Sequence, residues 1–132
     1  MNIVKLIDFP VRGDARGSLV AVEQFSNVPF AIKRVYYLYG TLNGVSRGFH
    51  AHIALTQVAV CVSGSCRMLL DDGTVREDIL LDNPSKGIVI EPMMWHEMHD
   101  FSPDCVLLVL ASDHYDESDY IRDYERFKEE LK

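Results

Sequence analysis

Short runs in which apolar and polar residues alternate recur along most of the chain, and turn residues rather than long polar stretches separate them. Nine of these runs, rich in β-branched and aromatic residues, predict strands: Ser18 to Glu23, Ile32 to Tyr39, Phe49 to His52, Gln57 to Ser63, Cys66 to Leu70, Thr74 to Leu80, Gly87 to Ile90, Glu97 to Phe101 and Cys105 to Ser112. Strands this dense, each with one inward row of side chains, indicate an all-β sandwich or barrel. Ser63-Gly64-Ser65 and Asp71-Asp72-Gly73 lie between apolar runs, where glycine supplies the positive φ of a tight turn, so both predict hairpins joining consecutive antiparallel strands. Asp14-Ala15-Arg16-Gly17 reads as a further turn and Asn83 to Gly87 as a loop; both are candidate rims of a site.

The period changes near the end. Tyr120, Tyr124, Phe127 and Leu131 recur every three or four residues with charged residues between them, which predicts one apolar stripe on a C-terminal α-helix. Asp116 to Asp119 offer capping groups at its start, and Lys128 and Lys132 suit its end. The stripe reads as packing.

No linker, repeat or shift of composition divides the 132 residues, so a single domain over 1–132 is expected. Hydrophobic content of 48% with 25% charged residues fits a soluble globular chain. The net charge of −7 argues against a nucleic-acid or anionic-membrane surface, either of which needs a clustered positive field. Local arginines remain free to hold a small anion. Residues 1–8 lack the apolar core of a signal peptide, and no apolar stretch reaches the length of a membrane span, so a cytoplasmic protein is expected. Cys61, Cys66 and Cys105 are odd in number and sit in apolar runs without C-x-x-C spacing, the pattern of buried reduced thiols.

The candidate chemistry lies in Arg47-Gly48-Phe49-His50-Ala51-His52 and in Trp95-His96-Glu97-Met98-His99. On a strand, the period of two puts His50 and His52 on one face and Phe49 and Ala51 on the other, giving two proton carriers to one site. Imidazole, with an ordinary pKa of about 6.5, is suited to proton transfer at cellular pH.

His50-x-His52, four residues, Gln57, six residues, Gly64 resembles the first motif of the cupin superfamily, and Pro92-Met93-Met94-Trp95-His96 loosely resembles the second. The resemblance implies a jelly-roll barrel whose inward side chains build a pocket. Metal-binding cupins generally carry glutamate where this chain has Gln57, and a neutral amide is a poor ligand for a divalent transition metal. The second motif also lacks its glycine, with its histidine displaced by one. No metal and no cofactor are therefore expected, and the histidines are left as acid and base.

A more specific set of segments resembles the dTDP-4-dehydro-6-deoxyglucose 3,4-ketoisomerases. It comprises Ile32 to Tyr37, Arg47 to His52, Gly64 to Arg67, Leu70 to Gly73, Trp95 to Phe101 and Leu110 to Asp113, within a match running from Arg16 to about Tyr124. The Arg-Gly-apolar-His run is also similar to that of the dTDP-sugar 3,5-epimerases. The first resemblance implies isomerisation of a dTDP-linked 4-keto-6-deoxyhexose to its 3-keto isomer through an enediolate, with His50 removing the carbon-3 proton and His52 shuttling a proton between the sugar oxygens. It further implies substrate contacts from Arg16, Arg34, Tyr37, Arg47, Gln57 and His96, with Arg34 and Arg47 able to pair with phosphate oxygens. Arg16 together with His96 resembles the branch giving the galacto-configured product, which feeds synthesis of a 3-amino-3,6-dideoxy sugar through a downstream aminotransferase, for a lipopolysaccharide or S-layer glycan. A homodimer with N-terminal strands crossing between subunits is implied as well. Trp95 fits either the pocket wall or the core. The competing readings are a 3,5-epimerase, a metal-dependent cupin oxygenase and a non-catalytic sugar-binding cupin.

Overall fold

The structure, a computed structural model, describes residues 3–132. The chain enters as β1 (Lys5–Asp8) and forms a ribbon of β2 (Arg12–Asp14) and β3 (Gly17–Leu19). It continues through β4 (Arg34–Leu38), β5 (Arg47–His52), β6 (Gln57–Ser63), β7 (Cys66–Asp71), β8 (Arg76–Leu81), β9 (Lys86–Ile90), β10 (Trp95–His99) and β11 (Val106–Ala111). A 3₁₀ turn, Glu117–Asp119, then leads into β12 (Tyr120–Ile121) and α1 (Tyr124–Glu130). Two five-stranded antiparallel sheets result, one in the order β1-β9-β6-β11-β4 and the other β12-β5-β10-β7-β8. This is the jelly roll of the cupins, with one C-terminal helix.

Apolar side chains of both sheets fill the space between them: Ala59 and Cys61 of β6, Met68 and Leu70 of β7, Ile88 and Ile90 of β9, and Leu107 and Val109 of β11. All three cysteines are buried free thiols, and the sulfurs of Cys61 and Cys105 lie 3.7 Å apart. Trp95 belongs to the core as well, packed with Ala51, Ile121 and Phe127 between the second sheet and α1.

Several expected elements take another form. The run Ser18 to Glu23 is a strand only to Leu19; beyond it, Val20 and Val22 pack with Phe9, Val28 and Phe30 over the outer side chains of β6, Val58 and Val60. Burial of that outer face outweighs strand propensity in this segment. The Ser63-Gly64-Ser65 turn joins strands of different sheets instead of closing a hairpin. Ser65 and Ser102 exchange hydrogen bonds there, Ser65 N–H to the Ser102 hydroxyl at 2.8 Å and Ser102 N–H to the Ser65 carbonyl at 2.9 Å. A Cβ on Gly64 would meet the Ser102 hydroxyl oxygen at 2.3 Å, so the corner requires glycine. The Asp71-Asp72-Gly73 turn does close a hairpin, pairing β7 with β8.

The C-terminal helix is shorter than its apolar stripe. Asp116 caps only the 3₁₀ turn, Tyr120 pairs with His52 in a strand ladder, and the helix begins at Tyr124 after the Asp123 cap. Tyr120 thus leaves the helix for the histidine strand.

Candidate active site

β5 carries both histidines inward despite an irregular ladder. His50 pairs with His96 of β10, but the next pair is Arg47 with Met98, so one residue is extra on β5. Gly48 has φ +100° and Phe49 φ +43°, the left-handed conformations that accommodate such a bulge. A Cβ on Gly48 would lie 3.3 Å from the Cα of Glu97. The bulge turns the Gly48 carbonyl back onto the ring of His50, whose Nδ1 lies 2.5 Å from it. A carbonyl only accepts, so Nδ1 carries the hydrogen and Nε2 keeps its lone pair.

Three imidazoles meet here. The ring centroids of His50 and His52 are 5.0 Å apart, and those of His50 and His96 are 4.4 Å apart. His96 Nδ1 faces the Met94 carbonyl at 3.2 Å. Phe49 and His99 lie on the opposite face of the sheet, ring against ring at 5.7 Å. Burial pushes all three clustered histidines below the ordinary imidazole range, and their mutual repulsion adds to it for His52 and His96: His50 is lowered, His52 is brought to about 4 and His96 to about 3. The cluster is neutral at cellular pH, as a base requires.

One ring nitrogen from each of His50, His52 and His96 lies within 4.8 Å of the other two. The anionic member of the cupin ligand set is missing, since Gln57 takes its place. Its Nε2 donates to the Tyr36 hydroxyl at 2.8 Å, and its buried Oε1, without a partner among the described residues, is a neutral amide oxygen. These residues do not reproduce that ligand set.

A cavity of about 700 Å³ opens over His50, with Arg34, Tyr36, Arg47, Tyr120 and Arg122 among its walls. Three guanidinium groups in one cavity of a chain with net charge −7 concentrate positive charge locally. Arg34 lies over the Tyr36 ring at 5.1 Å, and Arg122 lies over Tyr120 at 4.3 Å while pairing with Glu117 at 2.8 Å. That pairing holds the Glu117 carboxyl down at about 2. Tyr120 packs against both histidines, 5.0 Å from His50 and 4.3 Å from His52. A separate cavity of about 190 Å³ is lined by His52, Asp119, His114 and again Tyr120.

The family model described as FdtA: WxcM-like, C-terminal, matches residues 2–132. The chain belongs to this family. It is 58% identical over 124 residues, covering 94% of this chain and 89% of the relative, to the TDP-4-oxo-6-deoxy-alpha-D-glucose-3,4-oxoisomerase of Aneurinibacillus thermoaerophilus. Among solved structures it is similar to a 3,4-ketoisomerase from Helicobacter canadensis, at 45% identity and TM-score 0.95 over 98% of this chain and 97% of that one. It is likewise similar to QdtA, a sugar 3,4-ketoisomerase from Thermoanaerobacterium thermosaccharolyticum solved in complex with TDP, at 44% identity and TM-score 0.94 over 96% and 93% of the two chains. The 4-keto-6-deoxy sugar epimerase NovW from Streptomyces spheroides, at 21% identity and TM-score 0.75 over 89% of this chain and 67% of that one, shares the fold.

Within this sugar-nucleotide ketoisomerase family the expected residues separate into groups. His50, Arg34, Arg47 and Tyr37 line the larger cavity, Tyr37 at its rim with 61% of its surface exposed. Tyr36 is the inward tyrosine of β4. His96 and Gln57 are buried behind that wall, and His52 faces the smaller cavity. Arg16 lies apart, at the tip of the β2–β3 ribbon, 90% exposed and paired with Asp14 at 2.6 Å. Tyr120, Arg122, Glu117 and Asp119 carry no motif in the sequence; the single available signal is the cluster of acidic and aromatic residues from Tyr115 to Tyr120.

Proposed function

We propose that the protein converts TDP-4-keto-6-deoxyglucose into the 3-keto isomer, with His50 as the base. The observation that carries this reading is the Nε2 lone pair of His50, kept free by the Gly48 contact, on the wall of a cavity holding three guanidinium groups. A nucleoside diphosphate has the charge for those guanidiniums, and a 4-keto sugar has an acidic hydrogen at carbon 3 for the base. The relative solved with TDP supports the same ligand class.

In this scheme the Nε2 of His50 takes the carbon-3 proton and the carbon-4 oxygen takes up the negative charge. The electrons pass through an enediolate, stabilised by donors on the cavity wall such as Tyr36, whose hydroxyl oxygen already accepts from Gln57 and whose own hydrogen is free to donate. The hydroxyl on carbon 3 then passes its proton to the carbon-4 oxygen, and His50 returns its own proton at carbon 4 as carbon 3 becomes the ketone. His52 carries the oxygen-bound proton. Its exchange with the sugar runs by way of Tyr120, which lines both cavities while His52 faces the smaller one.

The finer reading is the galacto product, based on Arg16 with His96, destined for an aminotransferase making a 3-amino-3,6-dideoxy sugar in the cytoplasm. No helix of the described residues is long and apolar enough to cross a membrane. Arg16 reaches a cavity in this reading by crossing to a second copy on its ribbon, as a strand-exchanged homodimer of single-domain chains. Val35 at 53% and Tyr37 at 61% exposure leave an apolar edge for that copy. Sedimentation equilibrium at micromolar concentration is expected to give twice the chain mass; a monomer overturns the dimer.

His50→Asn tests the chemistry. It keeps a polar side chain of similar size, so TDP binding is expected to hold within about twofold while turnover falls by at least about a hundredfold. Turnover near wild type would remove His50 from the role of base.

A further inference from the structure

His52 is 2% exposed, and neither ring nitrogen has a partner in full hydrogen-bond geometry among the described residues. A buried imidazole in that condition rotates and changes tautomer unless a neighbour holds it. The neighbour is Asp119, whose Oδ2 lies 3.3 Å from His52 Nδ1. Asp119 is itself tied to the loop that follows β5: Oδ1 accepts the Ala54 N–H at 2.8 Å, Oδ2 the Leu55 N–H at 3.3 Å, and its carbonyl the Ile53 N–H at 3.0 Å. The carboxylate is thus fixed relative to the strand carrying both histidines, though 67 residues separate it from His52 in sequence.

We propose that Asp119 is a positioning residue of the isomerase, holding His52 in the Nδ1–H tautomer so that Nε2 is the acceptor inside the histidine cluster. A carboxylate only accepts, so a ring nitrogen turned toward it carries the hydrogen. Asp119 lines the smaller cavity, not the one over His50, so it acts without touching the sugar. The kinetic consequence rests on the reading of His52 as proton carrier. The tautomer itself does not.

Two measurements test this. In ¹⁵N-histidine-labelled wild-type protein without substrate, long-range ¹H–¹⁵N spectra assigned with a His52→Gln variant are expected to show His52 protonated at Nδ1. In Asp119→Asn, whose amide can donate to Nδ1, the hydrogen is expected to move to Nε2. With TDP-4-keto-6-deoxyglucose, the same variant is expected to lose 10- to 100-fold in kcat with KM and TDP affinity within about twofold, and Asp119→Glu to recover part of the loss. His52 protonated at Nε2 in wild type, or wild-type kcat in Asp119→Asn, overturns the proposal. If Asp119→Asn does not fold, the wild-type spectrum decides alone. A wild-type protein that holds the tautomer but does not isomerise this sugar leaves the positioning intact and contradicts the functional reading instead.

Discussion

The Nδ1 of His50 and the carbonyl oxygen of Gly48, two residues earlier on β5, lie 2.5 Å apart. The bulge that makes this contact needs a residue at φ +100° with no Cβ against Glu97. Gly48→Ala is therefore expected to cost about 1–3 kcal/mol in stability, as backbone strain of this kind does, and to lower kcat by releasing the His50 ring. Urea denaturation with steady-state kinetics checks both. An alanine variant with wild-type stability and rate would detach the bulge from the chemistry.

The pH dependence of turnover follows from the same cluster. Burial lowers the pKa of His50 from its ordinary value near 6.5, so the neutral base persists below that pH. The acid limb of kcat/KM is expected to lie below pH 6.5 rather than at or above it. A limb near pH 7.5 would mean a base other than this one.

Stability follows with a definite sign. The folded-state pKa values of His52, about 4, and His96, about 3, lie under those of the unfolded chain, so the unfolded state takes up protons first as pH falls. Stability from these histidines is complete above about pH 6.5 and declines steadily as pH drops toward 4. Urea midpoints at pH 7.5, 5.5 and 4.5 are expected to fall in that order, and a flat series would contradict the neutral cluster.

Arg34, Arg47 and Arg122 line the cavity over His50, and of the three only Arg122 is engaged by a carboxylate, Glu117, among the described residues. Arg34→Met and Arg47→Met are each expected to weaken TDP binding about tenfold or more, the scale of a lost charge-assisted hydrogen bond, with little change in melting temperature. Calorimetric titration with TDP measures it. Unchanged affinity in both variants would move the pyrophosphate elsewhere.

Phe127 is fully buried and packs against Trp95 beneath β5, the two rings tilted at 42° with 5.9 Å between centroids. Phe127→Ala is expected to lose about 3–5 kcal/mol of stability, the range for an emptied aromatic site. A loss under 1 kcal/mol in urea denaturation would mean α1 is not anchored through this ring.

The histidine strand was legible because period two needs no partner to be read: His50 and His52 face inward with Phe49 and Ala51 opposite. Phase is a different matter. Which of Tyr36 and Tyr37 points inward depends on the pairing of β4 with β11, where Tyr36 stands opposite Val109 and Tyr37 opposite Leu108, and no local pattern encodes that register. Tyr120 satisfies the helical spacing of Tyr124 and Phe127, yet its ladder with His52 withdraws it into the site. Asp119 and Arg122 arrive with the same returning segment. Tertiary pairing, decided far from these residues in sequence, assembles the part of the site that spacing leaves unread.

The central claim is tested most directly by incubating the protein with TDP-4-keto-6-deoxyglucose in deuterated water and following the sugar by NMR. Appearance of the 3-keto isomer, with solvent deuterium in that product confined to carbon 4 and galacto couplings there, is the predicted result. An unchanged sugar, or deuterium entering at carbon 5 as a 3,5-epimerase would cause, contradicts it.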